Sequence, residues 1–211
     1  MQKILILGAY GQIARLVLPR LLAETQDQVT LYLKNSQRLT NPAPDRVRII
    51  EGDVNDFATL NQAMVGQDIV YANLGGKFEP MAGNIVKAMT ENQVTRLIYV
   101  TGLGLYHEVP GEFGRWVEET VTKPVMDDTR RAAALIENTT LNYTIIRAAY
   151  MDDQPEIDYE LTEKGTPFKG TVVSRKSVAD FIMTVLKQPT QYEFASVGIS
   201  KPGTDGDRPM Y

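Results

Sequence analysis

The sequence predicts an α/β fold in which helices cover both faces of a parallel sheet, and three observations support this prediction. Strand-like and helix-like segments alternate along most of the 211 residues. The first strand, Lys3–Leu7, is apolar at every position after its lysine, as expected for a strand that is buried on both faces. The segments between successive strands leave room for the helical crossovers that parallel pairing requires. We therefore expect a doubly wound parallel sheet in a single domain.

The first half of the chain contains five strands with helices between most of them. Gln12–Glu24 has apolar residues at helical spacing, and Pro19 is expected to bend this helix. The next segments, in order, are strands at Val29–Lys34 and Val47–Glu51, a helix at Phe57–Met64, a strand at Asp68–Leu74, a helix at Met81–Glu91 and a strand at Arg96–Thr101.

The alternation becomes looser after Thr101. The remaining regular segments are a helix at Pro124–Asn138, a strand at Tyr143–Arg147, a helix at Lys176–Lys187 and a strand at Glu193–Ile199. The polar segment Met151–Lys169 is interpreted either as a lid or substrate loop or as a surface excursion. The tail, Ser200–Tyr211, is expected to pack loosely or to become ordered against a partner. We therefore expect one domain over residues 1–211, with a cofactor-binding core at 1–150 and a small substrate-side elaboration at 151–211.

Composition excludes several classes of function. The chain has no cysteine and one histidine, so we expect no disulfide, no thiol nucleophile and no metal site. A net charge of −4 without a basic block argues against nucleic acid as a partner. The sequence also lacks a long apolar segment and a secretion signal, so we expect no membrane association and a cytoplasmic location. The expected partner is a small-molecule substrate, and the sequence leaves open whether the protein is a monomer or a homodimer.

The first strand leads directly into a glycine motif. The sequence Gly8-Ala-Tyr-Gly11-Gln-Ile-Ala14 follows the strand and opens the first helix. In this context Gly8 allows a tight turn, Gly11 lets the backbone approach a pyrophosphate, and Ala14 keeps the helix close to the sheet. The free N–H groups of the first helical turn favour an anion at the same place. The motif predicts a dinucleotide site in a Rossmann-type fold.

The segment after the second strand indicates which dinucleotide is bound. NAD sites usually have an acidic residue near this point to hold the ribose 2′-hydroxyl, but Gln28 to Pro44 contains none. Lys34 and Arg38 lie there instead and could bind a 2′-phosphate, unless they are only solvated loop charges. NADP(H) is therefore favoured over NAD(H).

Residues at the ends of the later strands are further candidates. Asp53 could accept a hydrogen bond from an adenine amino group while Val54 packs on the ring, or Asp53 could form an Asx turn or a helix cap. The small residues from Ala72 to Gly76 could let the backbone pass a ribose, although glycine pairs also form ordinary turns. Thr101 could orient a nicotinamide or a substrate, or it could act as a structural cap.

Several segments together resemble the NmrA-like NAD(P)H-binding branch of the atypical short-chain dehydrogenases/reductases. They are GAYGQIA at the N-terminus, GDVND after the third strand, the threonine that ends the fifth strand, YTIIRAAY and VSRKSVADFI. The resemblance implies that the pyrophosphate site comprises Gly8, Tyr10, Gly11, Gln12 and Ile13. It places Lys34 at the 2′-phosphate, Asp53 and Val54 at the adenine, Asn73, Leu74 and Gly75 at the ribose, Thr101 at the nicotinamide, and Ala148, Ala149, Tyr150 and Met151 at the substrate mouth.

The chain departs from the pattern of this superfamily at the catalytic pair. No tyrosine is followed four residues later by lysine; Met126 stands at the tyrosine position and Arg130 at the lysine position. Arg130 could still bind the nicotinamide ribose, as the lysine of the family does. Without a dedicated acid, the leading hypothesis is hydride transfer from NADPH to a small planar acceptor such as a flavin or quinone, with Thr101 and Tyr106 orienting the acceptor.

Two alternatives remain open. A non-catalytic NmrA-like redox sensor would need the cofactor site but no acid or base. A ketone or nucleotide-sugar reductase or epimerase would need a proton donor, which Tyr106 or Tyr150 could supply from a different position.

Overall fold

The computed structural model describes residues 1–211 and contains ten strands and six α-helices. The strands are β1 (Lys3–Leu7), β2 (Gln28–Leu33), β3 (Val47–Glu51), β4 (Ile69–Ala72), β5 (Arg96–Gly102), β6 (Asn142–Ala148), β7 (Tyr150–Asp152), β8 (Glu160–Glu163), β9 (Val172–Ser174) and β10 (Ala195–Ser200). The helices are α1 (Gln12–Glu24), α2 (Phe57–Met64), α3 (Phe78–Glu91), α4 (Gly111–Thr120), α5 (Lys123–Glu137) and α6 (Arg175–Lys187).

Eight of the strands form one sheet in the order β3-β2-β1-β4-β5-β6-β10-β8. Every neighbouring pair is parallel except β10 and β8, which are antiparallel. The strand order reverses between β1 and β4, and the carboxyl ends of these strands converge there. Strands β7 and β9 form a separate parallel pair beside the end of β6. The predicted doubly wound α/β fold is confirmed.

Both faces of the sheet are buried, and β1 shows why its sequence is continuously apolar. Ile4 and Ile6 belong to one core cluster, which also contains the buried faces of α1 and α6. Leu5 and Leu7 belong to the other, together with residues of α2, α3 and α5. Because side chains alternate across a strand, the run Ile-Leu-Ile-Leu supplies two apolar residues to each face.

The predicted elements are found with small shifts at their ends, and α3 shows the physical reason for one of them. This helix begins at Phe78, three residues before the predicted start at Met81. The carboxylate of Asp128, on α5, accepts the backbone N–H groups of Phe78 and Glu79 at 2.6 and 3.2 Å. This cap comes from a residue 50 positions away, so no local sequence pattern indicates it. Helix α1 continues through Pro19 as one element.

The larger differences lie after Thr101. Helix α4 was not predicted because Gly111 and Gly114 lower helix propensity, but Phe113 and Val117, one turn apart, bury their side chains in the core. The segment Met151–Lys169, interpreted as a loop, contains β8, which joins the main sheet beside β10. Residues Val172–Ser174 also form a strand that was not predicted. The longest helix, α5, has 15 residues, and no helix has the length and apolarity needed to span a bilayer.

Candidate cofactor and substrate site

A cavity of about 560 Å³ lies at the carboxyl ends of β1, β2, β3 and β4. This is the place where parallel α/β sheets bind ligands, outside the point where the strand order reverses. Of the residues predicted to bind cofactor, ten line this cavity: Gly8, Tyr10, Gly11, Lys34, Arg38, Asp53, Val54, Asn73, Leu74 and Gly75. The cavity also includes residues that were not predicted, among them Tyr32, Asn55, Lys77 and Met81.

The glycine turn is packed closely against the end of β4. Gly8 has φ +77°, and a Cβ atom there would lie 2.2 Å from the carbonyl oxygen of Asn73. At Gly11 a Cβ atom would lie 2.1 Å from Nδ2 of Asn73. Gly8 therefore excludes a side chain, whereas a side chain at Gly11 would require the Asn73 amide to shift. No side chain caps the start of α1, and its first turn has no acidic residue, so the positive end of the helix dipole is left for an anion.

Cationic side chains surround Tyr10 at the rim of this cavity. The guanidinium of Arg38 lies 4.1 Å from the centre of the Tyr10 ring, and that of Arg15 lies 5.0 Å from it. Arg15 was not predicted, although its position one helical turn after Gly11 could have indicated it. Lys34 Nζ lies 2.6 Å from a carboxylate oxygen of Asp53, and a hydrogen bond from Lys34 holds the pKa of Asp53 below its usual range. Of these cationic residues, Lys34 and Arg38 line the cavity.

Asp53 also forms the turn that was considered as its alternative role. Its Oδ1 accepts the backbone N–H of Asn55 at 2.9 Å, which is an Asx turn, while Asp56 caps α2. The carbonyl oxygen of Asp53 accepts the Tyr32 hydroxyl at 2.9 Å. A Cβ atom at Gly52 would lie 2.3 Å from that hydroxyl oxygen, so the glycine makes room for the tyrosine. Asp53 therefore forms this turn and also lines the cavity.

A second cavity, of about 290 Å³, lies at the ends of β5 and β6. Five predicted residues line it: Thr101, Ala148, Ala149, Tyr150 and Met151. Ten of its 13 lining residues are hydrophobic, and those not predicted include Phe78, Val117, Val121, Val125 and Met126. The two cavities are neighbours, because Lys77 lines the first and Phe78 the second.

Two hydroxyl groups beside the apolar cavity have no hydrogen-bond partner. Thr101 is 6% exposed, and neither its Oγ1 nor the Tyr150 hydroxyl has a hydrogen-bond partner in the protein. Buried hydroxyls are normally paired, so such groups are candidates for bonds to a ligand. Burial raises the pKa of Tyr150, which makes its phenol a weaker proton donor.

The structure corrects the predictions for Tyr106 and Arg130, neither of which lines the cofactor or the apolar cavity. The Tyr106 hydroxyl lies 2.7 Å from Glu137 Oε1 and 2.9 Å from Ser196 Oγ, and burial raises its pKa. Arg130 donates to the carbonyl oxygen of Gly104 at 2.8 Å and pairs with Glu118. Arg130 therefore braces the loop after β5 instead of facing the cofactor cavity.

Gln12 and Ile13 also lie outside the cofactor cavity. Ile13 is buried in the core cluster beneath α1, and Gln12 is exposed on the first helical turn. Any contribution to a pyrophosphate would have to come from their backbone N–H groups. Met126, which the sequence resemblance aligns with the tyrosine of the superfamily's catalytic pair, lines the apolar cavity.

A buried ion pair supports the end of β6. Arg147 Nη1 lies 2.7 Å from Glu108 Oε1, and Arg147 also donates to the carbonyl oxygen of Thr162 at 3.0 Å. The Glu108 carboxylate accepts the backbone N–H groups of Gly104 and Tyr106. The pair therefore joins β6 to the loop after β5 and to β8.

Comparison with known proteins agrees with this geometry. A family model described as NAD(P)H-binding matches residues 8–189. A Rossmann-fold NAD(P)-binding family protein from Shigella flexneri is 42% identical, with 100% of this chain and 99% of that chain covered and a TM-score of 0.86. A short-chain dehydrogenase/reductase from Veillonella parvula, solved in complex with NADP, is 31% identical over 100% of this chain and 99% of that one, with a TM-score of 0.93.

A more distant structure shows the same fold. ChuY, an anaerobillin reductase from Escherichia coli, is 18% identical, with 97% and 99% of the two chains covered and a TM-score of 0.81. The family match, the two closer relatives and the glycine turn beside Asn73 agree with the resemblance inferred from the sequence. The chain belongs to the NAD(P)H-binding family of atypical, NmrA-like short-chain dehydrogenases/reductases.

Proposed function

We propose that this protein is an NADPH-dependent reductase that transfers hydride to a small planar acceptor, such as a flavin or a quinone, without a dedicated general acid. The observation that carries the proposal is the chemistry of the apolar cavity. Tyr150 is its one titratable lining residue, and no lysine or arginine lines the cavity to lower the pKa of that phenol. Such a cavity favours an acceptor that can take its proton from water.

The first cavity supports NADP(H) as the cofactor in preference to NAD(H). Gly8 and Gly11 let the turn pack closely against Asn73 at the cavity, and the uncapped start of α1 favours the charge of a pyrophosphate. Arg38, Arg15 and Lys34 supply positive charge for a 2′-phosphate. The Veillonella parvula relative was solved with NADP, which supports the same assignment. When bound, NADPH supplies the hydride.

The residues of the second cavity position the acceptor. The walls formed by Phe78, Val117 and Met126 are apolar and favour a flat apolar ring. The Thr101 hydroxyl can donate to an oxygen or nitrogen of that ring, because it has no partner in the protein. Proximity and orientation therefore provide most of the rate enhancement.

The same residues are less suited to the reduction of a ketone. Its reduction builds negative charge on an alkoxide, and a positioned proton donor typically accelerates such a step by about 10²–10⁴-fold. Met126 lies where the superfamily has its tyrosine, and Arg130 is held by Gly104 and Glu118. The Tyr150 phenol, with its raised pKa, is the one remaining candidate donor in the cavity.

The test is a comparison of acceptors at saturating NADPH. Loss of reduced-nicotinamide absorbance is measured with flavins, quinones, ketones and nucleotide sugars, and NADPH binding is titrated in parallel. We expect turnover with the conjugated acceptors only. Turnover confined to ketones or sugars would contradict the proposal, and tight NADPH binding without any turnover would favour a redox-sensing binding protein. A Gly11→Val variant, which cannot accept the pyrophosphate, controls for contaminating reductases.

A further inference from the structure

Three aromatic side chains form a wall next to the apolar cavity. The Phe113 and Trp116 rings are stacked with their centres 5.9 Å apart, and the centre of the Tyr150 ring lies 5.1 Å from that of Trp116. Tyr150 lines the apolar cavity. Tyr150 therefore connects the cavity to the half-buried ring of Trp116.

An arginine without a carboxylate partner lies on this wall. The guanidinium carbon of Arg208 is 5.5 Å from the centre of the Trp116 ring. Arg208 forms no ion pair, and its guanidinium has one hydrogen bond, to the carbonyl oxygen of Asp207. The nearby carboxylate of Asp205 instead accepts the backbone N–H of Gly170. Arg208 thus offers most of its donors to an external anion.

The tail that carries Arg208 is fixed to the same residue as Tyr150. The carbonyl oxygen of Thr171 accepts the backbone N–H of Tyr150 at 3.1 Å. The Thr171 hydroxyl donates to the carbonyl oxygen of Thr204 at 2.7 Å and accepts the backbone N–H of Met210 at 3.2 Å. Arg208 lies between Thr204 and Met210, so its backbone is tied to Thr171, which is also bonded to the cavity residue Tyr150.

We propose that Arg208, stacked on Trp116, is a binding subsite for a phosphate, sulfonate or carboxylate group on the acceptor, and that the preferred substrates are planar rings with such a group. This inference rests on the proposed function, because it assumes that the acceptor ring occupies the apolar cavity. An anion there would bind the fork of the guanidinium while the ring lies against Tyr150.

The test uses matched acceptors that differ in charge. Riboflavin and FMN share the same ring and side chain and differ by one phosphate, and menadione is compared with a naphthoquinone sulfonate. We expect kcat/KM to be about fivefold higher for each anionic acceptor, mainly through KM, as for an exposed ion pair. Arg208→Gln should remove this preference while leaving the neutral acceptors unchanged. Added salt should weaken the preference in the parent protein.

A matched control distinguishes local contact from net charge. Arg48→Gln makes the same change in charge on β3, at the opposite edge of the sheet, and should keep the preference. Equal kcat/KM for neutral and anionic acceptors in the parent protein, or an identical effect of Arg48→Gln and Arg208→Gln, would overturn the subsite.

A binding measurement separates this proposal from the proposed function. The affinities of FMN and riboflavin for the NADP⁺-loaded protein are measured by flavin fluorescence, which requires no turnover. A preference for FMN that Arg208→Gln removes supports the subsite even if neither flavin is reduced. In that case the proposed hydride transfer to flavins is contradicted and the subsite is not. Equal affinities for the two flavins would contradict the subsite while leaving the proposed reductase activity standing.

Discussion

Arg147 and Glu108 form an ion pair of 2.7 Å in the interior, with side chains that are 0% and 4% exposed. Arg147 lies opposite Thr101 in the ladder between β5 and β6. The carboxylate of Glu108 also holds two N–H groups of the loop that follows Thr101. The pair therefore fixes the loop next to a proposed substrate-orienting hydroxyl, although neither of its members lines the apolar cavity.

Removing one member of this pair should destabilise the fold strongly. Glu108→Gln leaves the buried guanidinium of Arg147 without a counter-charge, and such changes typically cost about 3–5 kcal/mol. Urea unfolding measures the change in free energy. The control is Glu112→Gln, which breaks an exposed pair with Arg115 and should cost less than about 1 kcal/mol. Similar losses in the two variants would show that the buried pair contributes no more than a surface pair.

The stability that depends on Glu108 should disappear in acid. Burial alone would raise the pKa of this carboxyl, but backbone N–H groups and Arg147 together lower it below the ordinary value of 4.5. A carboxylate with a depressed pKa stabilises the fold above its unfolded pKa, and this contribution is lost as the pH falls through the folded pKa. The difference in unfolding free energy between the parent protein and Glu108→Gln should therefore shrink when the pH falls well below 4.5. A difference that stays constant with pH would contradict this.

Cofactor preference should depend on Lys34. NADPH should bind more tightly than NADH, and Lys34→Ala should narrow the gap by about 1–2 kcal/mol, the scale of a charge-assisted contact. The substitution also leaves the Asp53 carboxylate without its cation, which adds repulsion toward a 2′-phosphate. Lys176→Ala, an exposed lysine on α6, is the matched control. Equal affinities for NADPH and NADH in the parent protein would contradict the assignment.

Even one methyl group at Gly11 should disrupt cofactor binding. The added Cβ would lie 2.1 Å from the Asn73 amide nitrogen and 3.1 Å from the carbonyl oxygen of Gly8, so the Asn73 side chain or the glycine turn must shift at the cavity. We expect Gly11→Ala to weaken NADPH binding in a fluorescence titration while circular dichroism still shows a folded protein. Gly83→Ala on α3 is the control, because its Cβ would meet only Leu135 at an ordinary 3.9 Å. Unchanged NADPH affinity in Gly11→Ala would place the site elsewhere.

Loss of the Thr101 hydroxyl should have a small effect on turnover and none on stability. Thr101→Val removes a buried hydroxyl that has no partner, so no protein hydrogen bond is lost on folding. If the hydroxyl only orients the acceptor, kcat should fall modestly. If the hydroxyl is instead a general acid, its removal should lower kcat by about 10²–10⁴-fold while NADPH affinity stays unchanged. Tyr150→Phe tests the other cavity hydroxyl, and Tyr106→Phe, outside the cavity, is the control. A loss of kcat of that size in either Thr101→Val or Tyr150→Phe would favour a ketone-type substrate.

The sequence could predict the cofactor half of the site because that half depends on local rules. Parallel strands bring their carboxyl ends together, so Gly8, Asp53 and Asn73 could be assigned to one cavity from the order of the strands. Arg15 was missed because the motif was interpreted only as far as Ala14. Its contact with the Tyr10 ring depends on how the glycine turn folds back.

The substrate half depends on contacts between distant residues. Tyr106 follows Thr101 closely in sequence, but Gly104 has φ +92° and Glu108 holds the loop, so the tyrosine side chain extends to Glu137 and Ser196. Arg130 was assigned by alignment with a lysine, whereas the carbonyl oxygen of Gly104 and Glu118 are its partners. No repeating pattern in the sequence indicates which residues these two side chains contact.

The two edges of the main sheet, β3 and β8, have a consequence for association. Unpaired strand edges can recruit another chain by strand addition, and short or charged strands discourage this. Strand β8 has four residues and carries Glu160 and Glu163, while β3 carries Arg48 and Glu51. At these edges a second copy would meet charged side chains before it could pair its backbone. Self-association through a continuous intermolecular sheet is therefore disfavoured, and any stable dimer would have to form through helix faces or loops.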